Sequence, residues 1–217
     1  MLSAWGDHPA VRATLEEASA ALGEDVARLI GEGPKEALEL TTNTQPVMLT
    51  AGIANYRAWL AEGGAAPAIV AGHSLGEYTA LVAAGSLTLM DALPLVRLRA
   101  QAMQDAVPVG SGGMAAILGL DAATVRDGCA KAAAESGEVV EAVNFNDPKQ
   151  TVIAGSKAGV EAGCAVLKGL GAKRALPLPV SAPFHSSLMK PAAERLRERL
   201  ASITIQAPQI PVLNNID

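Results

Sequence analysis

A serine flanked by two glycines is the first feature of this chain that could carry out covalent chemistry. Residues 72–76 read Gly-His-Ser-Leu-Gly, which fits the pattern Gly-x-Ser-x-Gly. The apolar run 68–71 before it predicts a short buried strand, and residues 77–84 predict a helix that Gly85 ends. Strand, sharp turn and helix form the context in which this pattern makes a nucleophile elbow, with Ser74 exposed on a strained turn.

The same five residues also fit a simpler structure, a glycine-rich turn in which the Ser74 hydroxyl only caps the following helix. The elbow interpretation makes a further demand on Gly72 and Gly76. Because glycine has no Cβ atom, strand and helix could approach each other closely at both positions. The strand before the motif and the helix after it favour the elbow, so we take Ser74 as the candidate nucleophile.

A serine nucleophile needs a base within hydrogen-bond reach, and the chain has three histidines. His8 lies in a polar N-terminal stretch and is expected to be exposed. His73 adjoins Ser74, but neighbours on a sharp turn point apart, so we expect it to line the site or to support the turn. His185 ends an extended proline-rich segment just before a helix. We predict that it is the base; a surface loop histidine is the alternative.

Two further groups complete the candidate site. The backbone N–H of Leu75, the residue after the nucleophile, is the expected oxyanion donor, and the helix that begins there adds its positive end. Arg99 lies on an otherwise apolar helix shortly after the elbow helix. Arginine binds a carboxylate through two parallel hydrogen bonds, so Arg99 would select an acyl group with a free carboxylate. The alternative is a solvated surface arginine, which is how we interpret Arg97.

Composition narrows the class of protein. The 217 residues suffice for one large domain or for a large and a small one, and 50% of them are hydrophobic. A net charge of −5 argues against a general nucleic-acid binder. The sequence has no run of 18 apolar residues, so we expect no membrane span, and the N-terminus does not resemble a signal peptide. Cys129 and Cys164 lack metal-site spacing and indicate thiols in a reducing compartment, so we expect a cytoplasmic protein.

Apolar residues at every third or fourth position predict one helix over residues 11–29. A second is predicted over 44–60, with a proline in its first turn. A third begins at Thr88, where Asp91 stands in the place of a capping-box acid. Pro94 lies inside this third helix and predicts a bend about one turn earlier.

After a glycine-rich hinge the order of elements changes to βαββαβ, the ferredoxin-like arrangement. The predicted elements are strand 114–120, helix 121–134, strands 139–145 and 151–154, helix 156–170 and strand 173–178. We therefore predict a small inserted domain at 112–180. Residues 1–111 and 181–217, with a helix at 188–201 and a strand at 209–216, form the large domain. One larger continuous sheet is the alternative.

Several motifs together resemble the malonyl-CoA–acyl carrier protein transacylase family, which acts in fatty-acid synthesis and is related to the acyltransferase domains of polyketide synthases. Besides the elbow and Arg99, the motifs are Thr-Gln-Pro at 44–46, Val-Asn-Phe-Asn at 143–146 and Pro-Phe-His-Ser-Ser-Leu-Met-Lys-Pro at 183–191. They cover essentially the whole chain and are jointly far more specific than Gly-x-Ser-x-Gly alone.

The resemblance implies an α/β fold in which an α/β hydrolase-like large domain carries an inserted ferredoxin-like small domain. It implies Ser74 as nucleophile, His185 as base, Leu75 as an oxyanion donor and Arg99 as the anchor of the malonyl carboxylate. Five other residues are implied to contact the substrate: His73, Met103, Phe184, Gln45 and Asn146. A phenylalanine before the base is typical of members that favour malonyl over bulkier branched units.

In the reaction that the resemblance implies, Ser74 attacks malonyl-CoA, free coenzyme A leaves, and a phosphopantetheine thiol of acyl carrier protein takes the malonyl group. No metal or cofactor is implied, since the coenzyme A thioester is the substrate. Carrier proteins are acidic, so a basic surface should dock them, and Lys173, Arg174 and Lys190 are candidates unless they are ordinary solvated charges. We expect a monomer that binds neither nucleic acid nor membrane.

Relative to the family, we expect this chain to lack two segments. One is an initial strand with Gly-Gln-Gly, whose glutamine helps to form the oxyanion hole. The other lies beyond Asp217 and includes a glutamine whose backbone carbonyl orients the base histidine. Two alternatives remain: an inactive truncated acyltransferase fragment, which the lack of these segments would explain, and, independently of them, a serine thioesterase or hydrolase. A hydrolase triad would need an acid between Ser74 and His185, where five aspartates lie without distinctive context.

Overall fold

The computed structural model describes residues 1–180 and 182–216 and divides into two compact units. The first comprises Met1–Gln101 with Leu196–Asp217, and the second comprises Ala102–Arg195. The predicted small domain, 112–180, lies inside the second unit. Each unit is described by itself below.

Helices and strands of the described residues are numbered along the chain. The helices are α1 Pro9–Leu22, α2 Val26–Glu32, α3 Lys35–Glu39, α4 Thr41–Ala61, α5 Leu75–Ala83, α6 Leu89–Asp105, α7 Ala122–Ser136, α8 Lys157–Gly169 and α9 Lys190–Leu200. The strands are β1 Val70–Ala71, β2 Gly112–Leu118, β3 Val140–Asp147, β4 Gln150–Ser156, β5 Arg174–Pro177 and β6 Val212–Leu213. Mixed helices and sheets confirm the predicted α/β class.

The single helix predicted over residues 11–29 is wrong, because the structure has two helices there. Helix α1 ends at Gly23, whose φ of 66° is a left-handed conformation, and the Asp25 side chain accepts a hydrogen bond from the Arg28 N–H to begin α2. Ala18 on α1 and Val26 on α2 are both buried in one hydrophobic cluster. Apolar spacing continues across the break because both helices face that cluster, so periodicity alone could not reveal it.

Helix α4 begins earlier than predicted. It starts at Thr41, three residues before the predicted start, so Pro46 lies in the second turn and not in the first. Helix α3, just before it, was not predicted. The longer α4 carries Gln45 as a buried residue, with 7% of its surface exposed. This places an amide side chain inside the first unit, where it contacts the candidate site described below.

The strand before the elbow is shorter and more exposed than predicted. β1 pairs in parallel with β6, with Val70 opposite Val212, and this is a two-stranded sheet. Ile69 is 50% exposed and Ala71 is exposed, so the prediction of a buried strand is wrong. Among the described residues no third strand pairs with β1. The strand predicted over 209–216 is likewise reduced to β6.

Helix α6 begins as the sequence predicted. The Thr88 hydroxyl oxygen accepts a hydrogen bond from the Asp91 N–H at 3.0 Å and donates to the Asp91 carboxylate at 2.6 Å. The helix continues through Pro94 to Asp105. Its buried apolar face packs in the same cluster as α1, α2 and α4, and this packing fixes the position of Arg99 near the middle of α6.

The second unit contains an antiparallel four-stranded sheet with the order β3-β4-β2-β5. Helices α7 and α8 contribute to one core with the sheet, and their predicted caps are present: Asp121 accepts from the Thr124 N–H and Ser156 from the Gly159 N–H. The predicted βαββαβ order is confirmed. The alternative of one continuous sheet is wrong for the described residues, where the β1–β6 pair is separate.

Both cysteines are free thiols in the second unit, Cys129 buried and Cys164 half-buried. Burial raises the pKa of the Cys129 thiol to about 12 and also raises that of Cys164, so both are protonated at neutral pH. No helix within 1–180 or 182–216 is long and apolar enough to cross a membrane. Nor does any group of His, Cys, Asp and Glu side chains in those ranges have the arrangement of a metal site.

The cap of α6 gives a test of this local prediction. We expect Thr88→Ala to lower the free energy of unfolding by about 1 kcal/mol, because it leaves the Asp91 N–H without its acceptor. Thr88→Ser is the matched control, since it keeps the hydroxyl and should retain most of the stability. Urea unfolding followed by circular dichroism measures both. Equal stability of the alanine variant and the parent would contradict the capping role.

Candidate active site

The turn between β1 and α5 is the strained elbow that the motif predicted. Ser74 has φ 53° and ψ −106°, a region that residues with a side chain rarely adopt. Its side chain makes no capping hydrogen bond to the helix, so the interpretation of Ser74 as a simple helix cap is wrong. The next residue, Leu75, is the first of α5, and its N–H has no intrahelical acceptor.

The two glycines of the motif are not equivalent. A Cβ atom on Gly72 would lie 1.9 Å from the carbonyl carbon of Gly76 and 2.0 Å from its oxygen, so only glycine fits there. A Cβ atom on Gly76 would meet no described atom within 4 Å. The close approach expected at both glycines is therefore required at Gly72 alone.

Arg99 reaches the candidate nucleophile. Its Nη2 donates a hydrogen bond to Ser74 Oγ at 2.9 Å, and its Nη1 donates to Gln45 Oε1 at 2.7 Å. The guanidinium carbon lies 5.7 Å from the centroid of the Tyr78 ring. Only 8% of Arg99 is exposed, so its interpretation as a solvated surface arginine is wrong. Arg97, two residues earlier, is partly buried and forms an ion pair with Glu24.

The charge of Arg99 is incompletely balanced. Burial lowers the pKa of its guanidinium, while Tyr78 and Glu77 act in the opposite direction. Burial also raises the pKa of the Tyr78 hydroxyl, so Tyr78 remains neutral near pH 7. Among the described carboxylates, none forms an ion pair with Arg99 within 4.0 Å. A buried cation without an adjacent anion is costly, so this position next to Ser74 favours a bound anion.

Asn215 is a residue of this site that the sequence interpretation missed. Its Nδ2 donates to the carbonyl oxygen of Gly72, and its Oδ1 accepts from the Ser74 N–H, both at 2.6 Å. Its backbone N–H donates to the Glu77 carboxylate at 3.2 Å. The available signal was its place just after β6, because the carboxyl ends of two parallel strands meet at one edge of a sheet.

His185, in the second unit, also has a left-handed backbone, with φ 67°. It is exposed, and its loop is held by neighbours in the same unit. Ser186 Oγ donates to the Pro183 carbonyl at 2.7 Å, and the Glu141 carboxylate accepts from the Ser187 N–H at 2.5 Å. Of the described residues other than glycine, Ser74 and His185 are the two with positive φ. Strain of this kind is concentrated at functional sites.

The other predicted substrate contacts divide between the units. In the first, Gln45 joins Ser74 through Arg99, and His73 is exposed on the elbow. In the second, Met103 and Phe184 pack in one hydrophobic cluster. Asn146 is exposed on β3. The structure thus brings together the predicted nucleophile and the predicted carboxylate anchor within one unit.

A family model described as acyl transferase domain matches residues 5–216. The chain belongs to this acyl transferase family. A curated relative from Escherichia coli (strain K12), named malonyl CoA-acyl carrier protein transacylase, is 56% identical over 210 residues, which cover 97% of this chain and 67% of the relative.

Solved structures of the family agree with the fold. An acyl-carrier-protein S-malonyltransferase from Burkholderia pseudomallei 1710b has a TM-score of 0.96 at 68% identity, covering all of this chain and 70% of that one. A malonyl-transacylase solved in complex with a type II PKS acyl-carrier protein has a TM-score of 0.96 at 48% identity, with the same coverage. These likenesses confirm the predicted α/β hydrolase-like fold with a ferredoxin-like portion.

The unequal glycines make a sharp test of the elbow. We expect Gly72→Ala to lower the free energy of unfolding by about 1–3 kcal/mol or more, because the new methyl group displaces the Gly76 carbonyl. Gly76→Ala should be neutral or stabilise the protein by up to about 1 kcal/mol, since alanine is the better helix former. Thermal unfolding of both variants beside the parent measures the difference. A Gly72→Ala variant as stable as the parent would contradict the close approach.

Proposed function

We propose that this protein moves a malonyl group from coenzyme A to the phosphopantetheine thiol of acyl carrier protein, through a malonyl-serine intermediate on Ser74, in fatty-acid synthesis. One observation carries the proposal: the buried Arg99 guanidinium donates to Ser74 Oγ at 2.9 Å and has no described carboxylate as its ion-pair partner. Membership of the acyl transferase family and the names of the relatives support the same reaction.

The chemistry of the malonyl group matches that arrangement. Its carboxylate is separated from its thioester carbonyl by one methylene carbon. When the carbonyl carbon bonds to Ser74 Oγ, the carboxylate remains within a few ångströms of that oxygen. Arg99 can then exchange its hydrogen bond to Ser74 for charge-assisted bonds to the substrate carboxylate, while Gln45 continues to accept from the other nitrogen of the fork.

Acylation starts with the attack of Ser74 Oγ on the thioester carbonyl carbon. In our proposal His185 accepts the hydroxyl proton, and the negative charge that develops on the carbonyl oxygen is stabilised by the Leu75 N–H and the N-terminus of α5. The tetrahedral intermediate collapses, the carbon–sulfur bond breaks, and His185 returns the proton to the coenzyme A sulfur. The products are malonyl-Ser74 and free coenzyme A.

The second half-reaction reverses these steps with a different thiol. His185 takes the proton of the phosphopantetheine thiol, and the sulfur attacks the ester carbonyl of malonyl-Ser74. The bond to Ser74 Oγ breaks, and His185 returns the proton to that oxygen. Phe184 and Met103 would form an apolar wall beside the acyl group, and His73 and Asn146 would contact substrate. No metal or cofactor enters these steps.

A serine thioesterase or hydrolase would use the same nucleophile and base, but it would give Arg99 no function. A buried carboxylate anchor favours retention of an anionic acyl group until a thiol arrives. We therefore favour transfer over hydrolysis.

The partner would be an acidic carrier protein. Lys173, Arg174 and Lys190 are all exposed. Lys173 directly precedes β5, Arg174 is its first residue, and Lys190 is the first residue of α9. Exposed cations on the second unit would attract an acidic partner, and salt would weaken that attraction. We further propose that the protein works as a cytoplasmic monomer.

The first test is intact-mass spectrometry of the protein after mixing with malonyl-CoA. We expect a mass increase of one malonyl group in the parent and none in Ser74→Ala, because only the serine hydroxyl can form the ester. Adding acyl carrier protein should remove the adduct and give malonylated carrier. A folded parent without adduct would overturn the proposal, and loss of the adduct to free malonate without malonylated carrier would identify a hydrolase.

The second test concerns the choice of acyl group. We expect Arg99→Ala to slow formation of the malonyl adduct by about 10- to 150-fold, the loss of one charge-assisted interaction, while the rate with acetyl-CoA changes far less. Arg97→Ala on the same helix is the matched control and should not alter the preference for malonyl. Equal losses with both thioesters would show that Arg99 supports the fold and does not anchor a carboxylate.

A further inference from the structure

We propose that Asn215 is a positioning residue that holds the Ser74 elbow in its reactive conformation. This inference rests on the proposed function of Ser74 as nucleophile. The residue does not contact the reacting atoms in the proposed mechanism. It acts through the backbone on both sides of the elbow.

The contacts of the Asn215 amide resemble those of an extra strand residue. In a parallel sheet, one residue of a strand accepts from an N–H of its neighbour and donates to the carbonyl two residues earlier. Asn215 makes this pair with its side chain, accepting from the Ser74 N–H and donating to the Gly72 carbonyl, both at 2.6 Å. The β1–β6 ladder is therefore continued past its last backbone pair, Ala71 with Leu213, by a side-chain amide.

The two Asn215 bonds are made where the backbone conformation is unfavourable. A residue with a side chain rarely adopts φ 53°, and the conformation persists only when its surroundings hold it. The two Asn215 bonds lie on either side of His73 and end at Ser74 itself. They oppose rotation of Ser74 toward an ordinary φ, which would move its Oγ away from Arg99 and from the Leu75 N–H.

The hydrogen bond from the Ser74 N–H to Asn215 Oδ1 also determines which backbone N–H of the elbow can serve as the oxyanion donor. The Ser74 N–H is used by Asn215 Oδ1, so it does not face the acyl oxygen. The Leu75 N–H is left to serve as the oxyanion donor. The backbone N–H of Asn215 donates to Glu77 in the first turn of α5 and so ties the segment after β6 to the elbow helix as well.

The proposal requires both the Oδ1 acceptor and the Nδ2 donor of Asn215, and substitution of this residue tests it. Asn215→Ala removes both bonds, and we expect the single-turnover rate of Ser74 acylation by malonyl-CoA to fall about 10- to 100-fold. The apparent Kd for malonyl-CoA should change by no more than about twofold to threefold, since Arg99 is untouched. A drop in affinity without a drop in the acylation rate would overturn the proposal.

The variant Asn215→Asp tests the role of Asn215 through the pH dependence of the acylation rate, which a purely structural role would leave unchanged. The ionised carboxylate has no donor for the Gly72 carbonyl, whereas the protonated acid has the shape of asparagine with one donor and one acceptor. We expect the acylation rate of the aspartate variant, divided by that of the parent at the same pH, to rise as pH falls from 8 toward 5. The same ratio for Asn215→Ala should stay constant, and a flat ratio for the aspartate variant would count against the proposal.

Gln209→Ala is the matched control from the same C-terminal segment. The Gln209 side chain packs over Gly85, and its backbone N–H donates to the Ala84 carbonyl at 2.8 Å, at the opposite end of α5. We expect this variant to acylate at the parent rate. Equal losses in both variants would mean that the elbow needs only a tethered segment, and the specific role of Asn215 would be wrong.

Adduct formation in the parent protein tells failure of the proposed function apart from failure of the proposed role of Asn215. If the folded parent forms no malonyl adduct, the proposed function fails. If the parent forms the adduct and Asn215→Ala forms it equally fast, only the role of Asn215 fails.

Discussion

The hydrogen bond between Arg99 and Ser74 is the interaction on which the candidate site in the first unit depends. It places a buried cation beside a serine hydroxyl, and a buried charge is tolerated only when its donors are satisfied. Gln45 accepts from a second guanidinium nitrogen, and the Tyr78 ring lies against the group. Three elements must therefore converge: α4 supplies the amide, α6 the cation, and the turn before α5 the hydroxyl. The hydrophobic cluster in which α4 and α6 pack together holds these elements close to one another.

The residues predicted as nucleophile and base, Ser74 and His185, both have positive φ, and a side chain distant in sequence accepts a backbone hydrogen bond at or near each of them. Asn215 accepts from the Ser74 N–H, and Glu141 accepts from the Ser187 N–H two residues after His185. In both cases an oxygen acceptor from another part of the unit binds a backbone N–H at or near the strained residue. The free energy of packing and of these bonds offsets the local strain, which is how rigid elements can present reactive side chains on sharp turns.

The errors of the sequence interpretation have identifiable physical causes. Apolar periodicity extended one helix over 11–29 because α1 and α2 bury their apolar residues in the same core, so the break at Gly23 left the spacing intact. The run 68–71 suggested a buried strand because its residues are apolar, but burial depends on which elements pack against the faces of the sheet. Gly76 was given the same role as Gly72, although only the direction of the absent Cβ atom distinguishes them.

The sequence by itself determined the local features: the elbow motif, the caps formed by Thr88, Asp121 and Ser156, and the βαββαβ order. These depend on residues within a few positions of one another. Together with the motifs around Arg99 and His185, they also led to the correct family. Only the tertiary structure decided which side chains support the elbow. Gln45 lies 54 residues from Arg99, and Asn215 lies 141 residues from Ser74. Such partners are chosen by helix packing and strand register, which no local pattern of residues records.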